Sequence, residues 1–270
     1  MNKFVKEPSQ KVNLSAPPQQ ILRMIMVARE KKYKSSDTLQ LINKAIDITH
    51  DYIVNLYFEQ AHVYQLIYMT ERDKLGKGSK TRLKAALLNM EKYTKVTEKY
   101  ILENDLSRWL HRLYRFYGKV GEYKRNYKSA VDYYKKSLKF WKSDPEVIAK
   151  SLPRNLELEG FLSSAIIMSG ESEKGLKTAR KVYKKYDTTQ EGKNLKNADY
   201  TTWAIWRSGV PIFVARAYLE VKTNFDRKEI LAWLEEALRY LNPPKSIKTW
   251  ADFQYRKDEI ILLRNTLQKS

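Results

Sequence analysis

An all-α fold follows from three observations on this 270-residue chain. Apolar residues recur three and four positions apart through nearly its whole length, the period of a helix face. Long alternations of β-branched residues, the period of a strand, are missing. Glycine (9) and proline (8) are too scarce for the many turns of an all-β protein, and they gather at the breaks between periodic segments.

The helices expected in order are 18–33, 37–49, 51–73, 79–101, 104–123, 127–142, 145–169, 172–186, 198–222, 226–241 and 246–268. Residues 1–17 mix Lys, Ser, Gln, Asn and Pro without period and read as a mobile tail ended by Pro17-Pro18. Asp37 and Ser79 suit N-cap positions, and Asp51 suits the turn between the second and third helices. Lys74–Ser79 is an inserted turn. Asp144-Pro145 places a cap residue before a proline at the first helical position. Gly170 stops one helix and Asn242-Pro243-Pro244 another. Thr188–Asn197 reads as a linker-like break. Gly209-Val210-Pro211 is expected to kink or break the helix over 198–222.

Composition removes several classes of function. Zero cysteines exclude a disulfide scaffold, a thiol nucleophile and a thiolate metal site. Three histidines leave little material for acid–base or metal chemistry. No Walker motif, dinucleotide glycine fingerprint, nucleophile elbow or His-Glu-x-x-His is present. Gly76-Lys77-Gly78-Ser79-Lys80 lacks the preceding strand of a phosphate loop and reads as a helix-to-helix turn. Asp47-x-x-His50 and Glu59-x-x-His62 have the carboxylate-x-x-His spacing of bundle metal sites, but the further carboxylates are missing. His111, beside Arg112, is expected at a surface or interface. The expectations are no catalytic residue, no cofactor and no metal. The first 20 residues hold no apolar run of signal-peptide length, and no stretch has about 18 uncharged apolar residues. A cytoplasmic protein without membrane insertion is expected. Oligomeric state has no signature in the sequence.

The helices alternate in pairs, which prompts a search for a repeat. The best unit runs from Tyr114 to Leu138, with Gly118, then Asn126-Tyr127-x-x-Ala130, then Tyr134 and Ser137-Leu138. A second copy is Gly170-Glu171-Ser172-Glu173-Lys174-Gly175-Leu176, followed by Ala179 and Val182. These units resemble the tetratricopeptide repeat (TPR), in which small residues let two helices approach and an aromatic fills the gap to the next pair. Weaker copies lie at Lys44-Ala45-Ile46, Ala85-Ala86 and Glu236-Ala237-Leu238. Taking the small position at Thr38, Ala85, Ala130, Gly175 and Ile230 gives spacings of 47, 45, 45 and 55, longer than the family's unit of about 34. The resemblance implies a right-handed α-solenoid over 18–270. It would have about five antiparallel helix pairs with long repeats, and helix 246–268 as a solvating C-terminal cap.

The net charge is +20 and it is unevenly placed. Residues 112–142 hold ten basic residues against two acids, whereas 226–241 hold three against four. Arg108, Arg112, Arg115 and Lys119 step by 4, 3 and 4 and share one helix face, opposite Leu110, Leu113 and Tyr117. Lys128, Lys135, Lys139 and Lys142 form a second stripe, opposite Ala130, Tyr134, Ser137 and Trp141. Lys174, Lys177, Lys181 and Lys185 form a third, opposite Ala179 and Tyr183. The resemblance implies that the first stripe lines a concave partner-binding groove and that the two lysine stripes are convex. The function expected is a non-catalytic scaffold that binds an acidic peptide or protein through this groove. The alternative is a nucleic-acid-associated protein whose lysine stripes meet phosphates. The tryptophans, among them Trp109, Trp141, Trp203, Trp206 and Trp233, are expected between helices.

Overall fold

The structure is a computed structural model that describes residues 35–72, 78–144, 153–221 and 225–269. The expected tail over 1–17, the expected helix 18–33 and Pro145 lie outside these residues. Among the described residues there are ten α-helices and no strand, so the protein is all-α. They are α1 (Ser35–Arg72), α2 (Lys80–Glu103), α3 (Leu110–Tyr123), α4 (Tyr127–Ser143), α5 (Arg154–Met168), α6 (Ser172–Thr188), α7 (Gln190–Ala198), α8 (Tyr200–Val221), α9 (Arg227–Tyr240) and α10 (Gln254–Lys269). The chain divides into two units after Leu106.

The first unit is a hairpin of α1 and α2. Val54, Phe58 and Ala61 are buried on α1, as are Ala86, Met90, Thr94, Thr97 and Ile101 on α2. The pairing is antiparallel. His50 meets the Tyr100 hydroxyl at 2.8 Å, Tyr64 stacks on Tyr93, and Glu71 accepts from the Ser79 N–H at 3.1 Å. The buried Thr94 hydroxyl donates to the Met90 carbonyl and Thr97 to that of Tyr93, so neither polar group is orphaned. Ser79 caps α2 as expected, accepting from the Arg82 N–H. The expected break near residue 50 is absent, because α1 runs unbroken for 38 residues. No glycine or proline lies within it, so no backbone term forces a turn.

In the second unit α3/α4, α5/α6 and α8/α9 are hairpins. α4 packs on α5, α5 and α6 pack on α8, and α10 closes against α8 and α9. Small residues set the approach within the first two hairpins. Ala130 Cβ lies where a Cβ on Gly121 would meet it at 3.2 Å, and Gly118 faces the ring of Tyr134. A Cβ on Gly175 would reach the Ile167 side chain at 2.5 Å. Asn126 caps α4, accepting from the Ser129 N–H. Gly170, at φ 101°, ends α5 by letting the Glu171 N–H reach back to the Ile166 carbonyl.

Three sequence expectations are corrected here. Residues 188–197, expected as a linker-like break, hold α7. Its Leu195 is buried, and its Gly192 approaches the backbone of Lys185 and Tyr186 more closely than a Cβ would allow. α8 runs through Pro211 as one helix, so of the kink or break expected at Gly209-Val210-Pro211 the break is absent. The last helix begins at Gln254 rather than 246. Residues 242–253 instead form a turn-rich strap, tied to the start of α8 by the Trp250 N–H on the Thr201 hydroxyl and the indole N–H on Asp199.

The main core of this unit joins α5, α6, α8, α9 and α10 around Trp203, Leu156, Ile167, Tyr186, Leu234 and Ile260. Each such aliphatic side chain contributes about 1.5–3 kcal/mol on full burial. A second cluster couples Ala130, Tyr134 and Leu138 of α4 to Leu158, Phe161 and Ala165 of α5.

Candidate functional site

α3 carries Arg112, Arg115 and Lys119 on one face, as their spacing requires. The structure differs from expectation in what that face meets. Lys119 is only 5% exposed. Its Nζ donates to Glu122 at 2.8 Å and stands 3.5 Å from the Phe161 ring centroid and 4.9 Å from that of Phe213. Arg115 donates to Glu157 Oε1 at 2.8 Å and lies over the rings of Phe116 and Phe161. Arg154 flanks Glu157 at 3.6 Å. The expectation that Arg115 and Lys119 line an open groove is therefore corrected: Lys119 is enclosed among α3, α5 and α8, and Arg115 between α3 and α5. A stacked hairpin buries two faces of a helix, one on its own partner and one on the next pair. The face opposite Leu113 is the second of these.

Burial sets the electrostatics of this cluster. It pulls the Lys119 amine below the ordinary lysine range, and Glu122 only partly restores it. It disfavours the Arg115 charge too, but Glu157 outweighs this and holds the guanidinium above its ordinary value. It pushes the Glu157 carboxyl up, and the Arg115 and Arg154 guanidiniums more than reverse that. Arg115 Nε and Glu157 Oε2 are buried without a hydrogen-bond partner among the described residues.

The other two members of this stripe, Arg108 and Arg112, are half-buried. The Arg108 carbonyl accepts from His111 Nδ1 at 2.9 Å. His111, expected at a surface or interface, is buried edge-on to Trp141. Burial first, then the charges of Arg154 and Arg112, lower its pKa to about 4 despite the carbonyl bond. The remaining histidines are each paired with one side chain, His50 with Tyr100 and His62 with Glu59. Among the described residues no group of three or more His, Asp or Glu is placed to hold a metal ion.

The two lysine stripes differ in what their members meet. On α4, Lys128, Lys135, Lys139 and Lys142 are exposed, opposite the buried Ala130, Tyr134, Ser137 and Trp141. On α6, Lys174, Lys177 and Lys181 are exposed, while Lys185 is half-buried and bound to Glu159 at 2.5 Å. Lys174 pairs with Glu171 at 2.6 Å. Lys136 lies outside these stripes. It is also exposed, and it lies 5.6 Å from the Tyr114 ring centroid and 5.8 Å from that of Tyr133.

Several arginines serve differently from these lysines. Arg207 is enclosed by Tyr183, Trp203 and Tyr240, at 4.7, 5.1 and 4.6 Å from the ring centroids, and binds Asp187 and Glu236. Arg180 grips Glu229 through two hydrogen bonds. Arg216 and Arg256 share Glu259. The planar guanidinium suits an enclosed, aromatic-lined ion pair such as that of Arg207, whereas the ammonium is the more strongly hydrated group. Apart from Arg256 and Glu259, three residues apart on one helix, these partners lie 20 to 49 residues apart, and no local pattern in the sequence joins them.

Compared with known proteins, the chain matches no family model, no curated protein and no solved structure.

Proposed function

We propose that the protein is a non-catalytic, TPR-like interaction scaffold that binds an acidic protein partner, with the lysine faces of α4 and α6 as the contact surface. One observation carries this reading. Lys128, Lys135, Lys139 and Lys142 are exposed and make no ion pair among the described residues, while the stripe first expected to bind has given Arg115 and Lys119 to internal partners. The close approach of α3 and α4 at Gly121 and Ala130 supports the repeat reading. The net charge of +20 favours an acidic partner and speeds its encounter. No described helix is long and apolar enough to cross a membrane, and the site of action proposed is the cytoplasm.

A second reading, a polynucleotide partner, is favoured by the use of lysine rather than arginine on α4. A compact point charge attracts phosphates without reading bases. Titrating the full chain with a polyglutamate peptide and with a random-sequence DNA duplex, across a range of salt, separates the two. The proposal expects polyglutamate to bind at moderate salt, and Lys135→Glu with Lys139→Glu and Lys142→Glu to weaken it by about 1–3 kcal/mol, the scale of three wet charge contacts. A steep linear fall of log affinity with log salt on the duplex, with no polyglutamate binding, selects the second reading. A triple variant that binds both probes as the parent does refutes both.

A further inference from the structure

α1 carries two apolar stripes on opposite sides. Val54, Phe58 and Ala61 form the buried one, continued by the polar Gln65. Tyr52, Leu56, Val63, Leu66 and Ile67 form the other, and these five side chains are 40 to 52% exposed. At about 100° per residue they fall within an arc of roughly 100°. Isolated exposed apolar residues are ordinary, but a stripe of five over four helical turns, crossed by Glu59, is not.

We infer that the protein self-associates through this stripe, by antiparallel pairing of the α1 helices of two copies. Three observations select a second copy as the occupant. The spacing is that of a helix–helix seam: Leu56 and Val63 are seven apart, and so are Tyr52, Glu59 and Leu66. The order of residues is self-complementary, as a two-fold interface requires. With the axis at Glu59–Gln60, Leu56 faces the partner's Val63 and Tyr52 faces the partner's Ile67. The two Glu59 carboxylates then flank the axis, each within one turn of the partner's His62, the side chain that Glu59 meets within one copy at 3.3 Å. Finally, no lysine or arginine lies between residues 46 and 71. In a chain of net charge +20, this stretch lacks the cations that would drive two copies apart.

The stripe from Tyr52 to Ile67 is about 22 Å long. One seam of that length buries less than the roughly 800 Å² per partner of a standard interface, so the dimer is expected to be weak, with a dissociation constant of about 10–100 µM.

Sedimentation equilibrium of the full chain from about 5 to 200 µM brackets that range. The expected result is an average mass that rises with concentration from 32.0 kDa toward twice that value. Leu56→Lys with Val63→Lys should hold the mass at the monomer value while leaving the helical circular dichroism unchanged, because both side chains are exposed. Leu88→Lys, which places the same charge on an exposed apolar residue of α2, should dimerise like the parent. A parent that stays monomeric at about 200 µM, above the expected dissociation constant, overturns the proposal and leaves the stripe to a different partner. A dimer that survives the double substitution overturns it by placing the contact elsewhere. Loss of the dimer in Leu88→Lys as well overturns it by showing a general charge effect.

Discussion

Replacing Glu157 with Gln keeps the shape of the side chain and removes the charge that faces Arg115. Both partners are buried, with side chains 8% and 15% exposed, and their contact is 2.8 Å. Without Glu157, the cluster of Arg115, Lys119 and Arg154 keeps Glu122 as its one ion-pair partner among the described residues. Removing one member of a buried pair leaves a desolvated charge behind and costs about 3–5 kcal/mol. Coulomb's law at an effective dielectric of 20 and about 3 Å gives roughly 5 kcal/mol, the same scale. Urea unfolding followed by circular dichroism measures the change from the midpoint at constant slope. The combined replacement Arg115→Met with Glu157→Leu should be far milder than Glu157→Gln alone, since an apolar pair of similar volume leaves no charge to desolvate. The pH dependence has a definite sign. The folded state holds the Glu157 carboxyl below its ordinary range, so the pair contributes fully above the unfolded value of about 4.3 and is lost as the pH falls below it. A Glu157→Gln variant within about 1 kcal/mol of the parent would refute the enclosed ion pair, since only solvated pairs are worth so little.

His111 is held neutral, with its pKa lowered from 6.5 to about 4. Its contribution is complete above about 6.5 and falls away toward pH 4, by about 3 kcal/mol in all. His111→Phe should flatten stability against pH in that window, and an unchanged slope would place the titrating group elsewhere. Ala130 is fully buried against Gly121, so Ala130→Phe should cost about 1–3 kcal/mol or more by overpacking, read as a drop in melting temperature. Asn126→Ala removes the side-chain acceptor for the Ser129 N–H at the start of α4. It should cost about 1 kcal/mol, with Asn126→Asp restoring most of it.

Where local chemistry decides, the sequence is a reliable guide. α4 is expected over 127–142 and observed to Ser143, because Asn126 supplies a cap and the period is unbroken up to Asp144-Pro145. α6 starts at the expected residue, just after the left-handed Gly170. The lysine faces are legible for the same reason, since exposure follows from phase within one helix. The environment of Arg115 is not legible. Its partner is 42 residues away, and the sequence does not say that a face opposite Leu113 will be covered by α5. α7 escapes for another reason. Its nine residues, Gln-Glu-Gly-Lys-Asn-Leu-Lys-Asn-Ala, are polar enough to read as a linker, and the decisive contact is Gly192 on the backbone of the preceding helix.

The enclosed arginines, among them Arg115 and Arg207, and the exposed lysines of α4 give the molecule two reservoirs of positive charge that answer to different chemistry. Amine acylation, whether by a laboratory ester or an acetyltransferase, neutralises the reservoir on α4 and leaves guanidiniums untouched. Lys119 sits with the arginines, shielded by Phe161, Phe213 and its bond to Glu122. Acylation of the folded protein can therefore strip much of its surface charge without cutting an internal ion pair of the α3/α5 seam. The extent of modification becomes a dial on solubility and encounter rate, set apart from the free energy of folding.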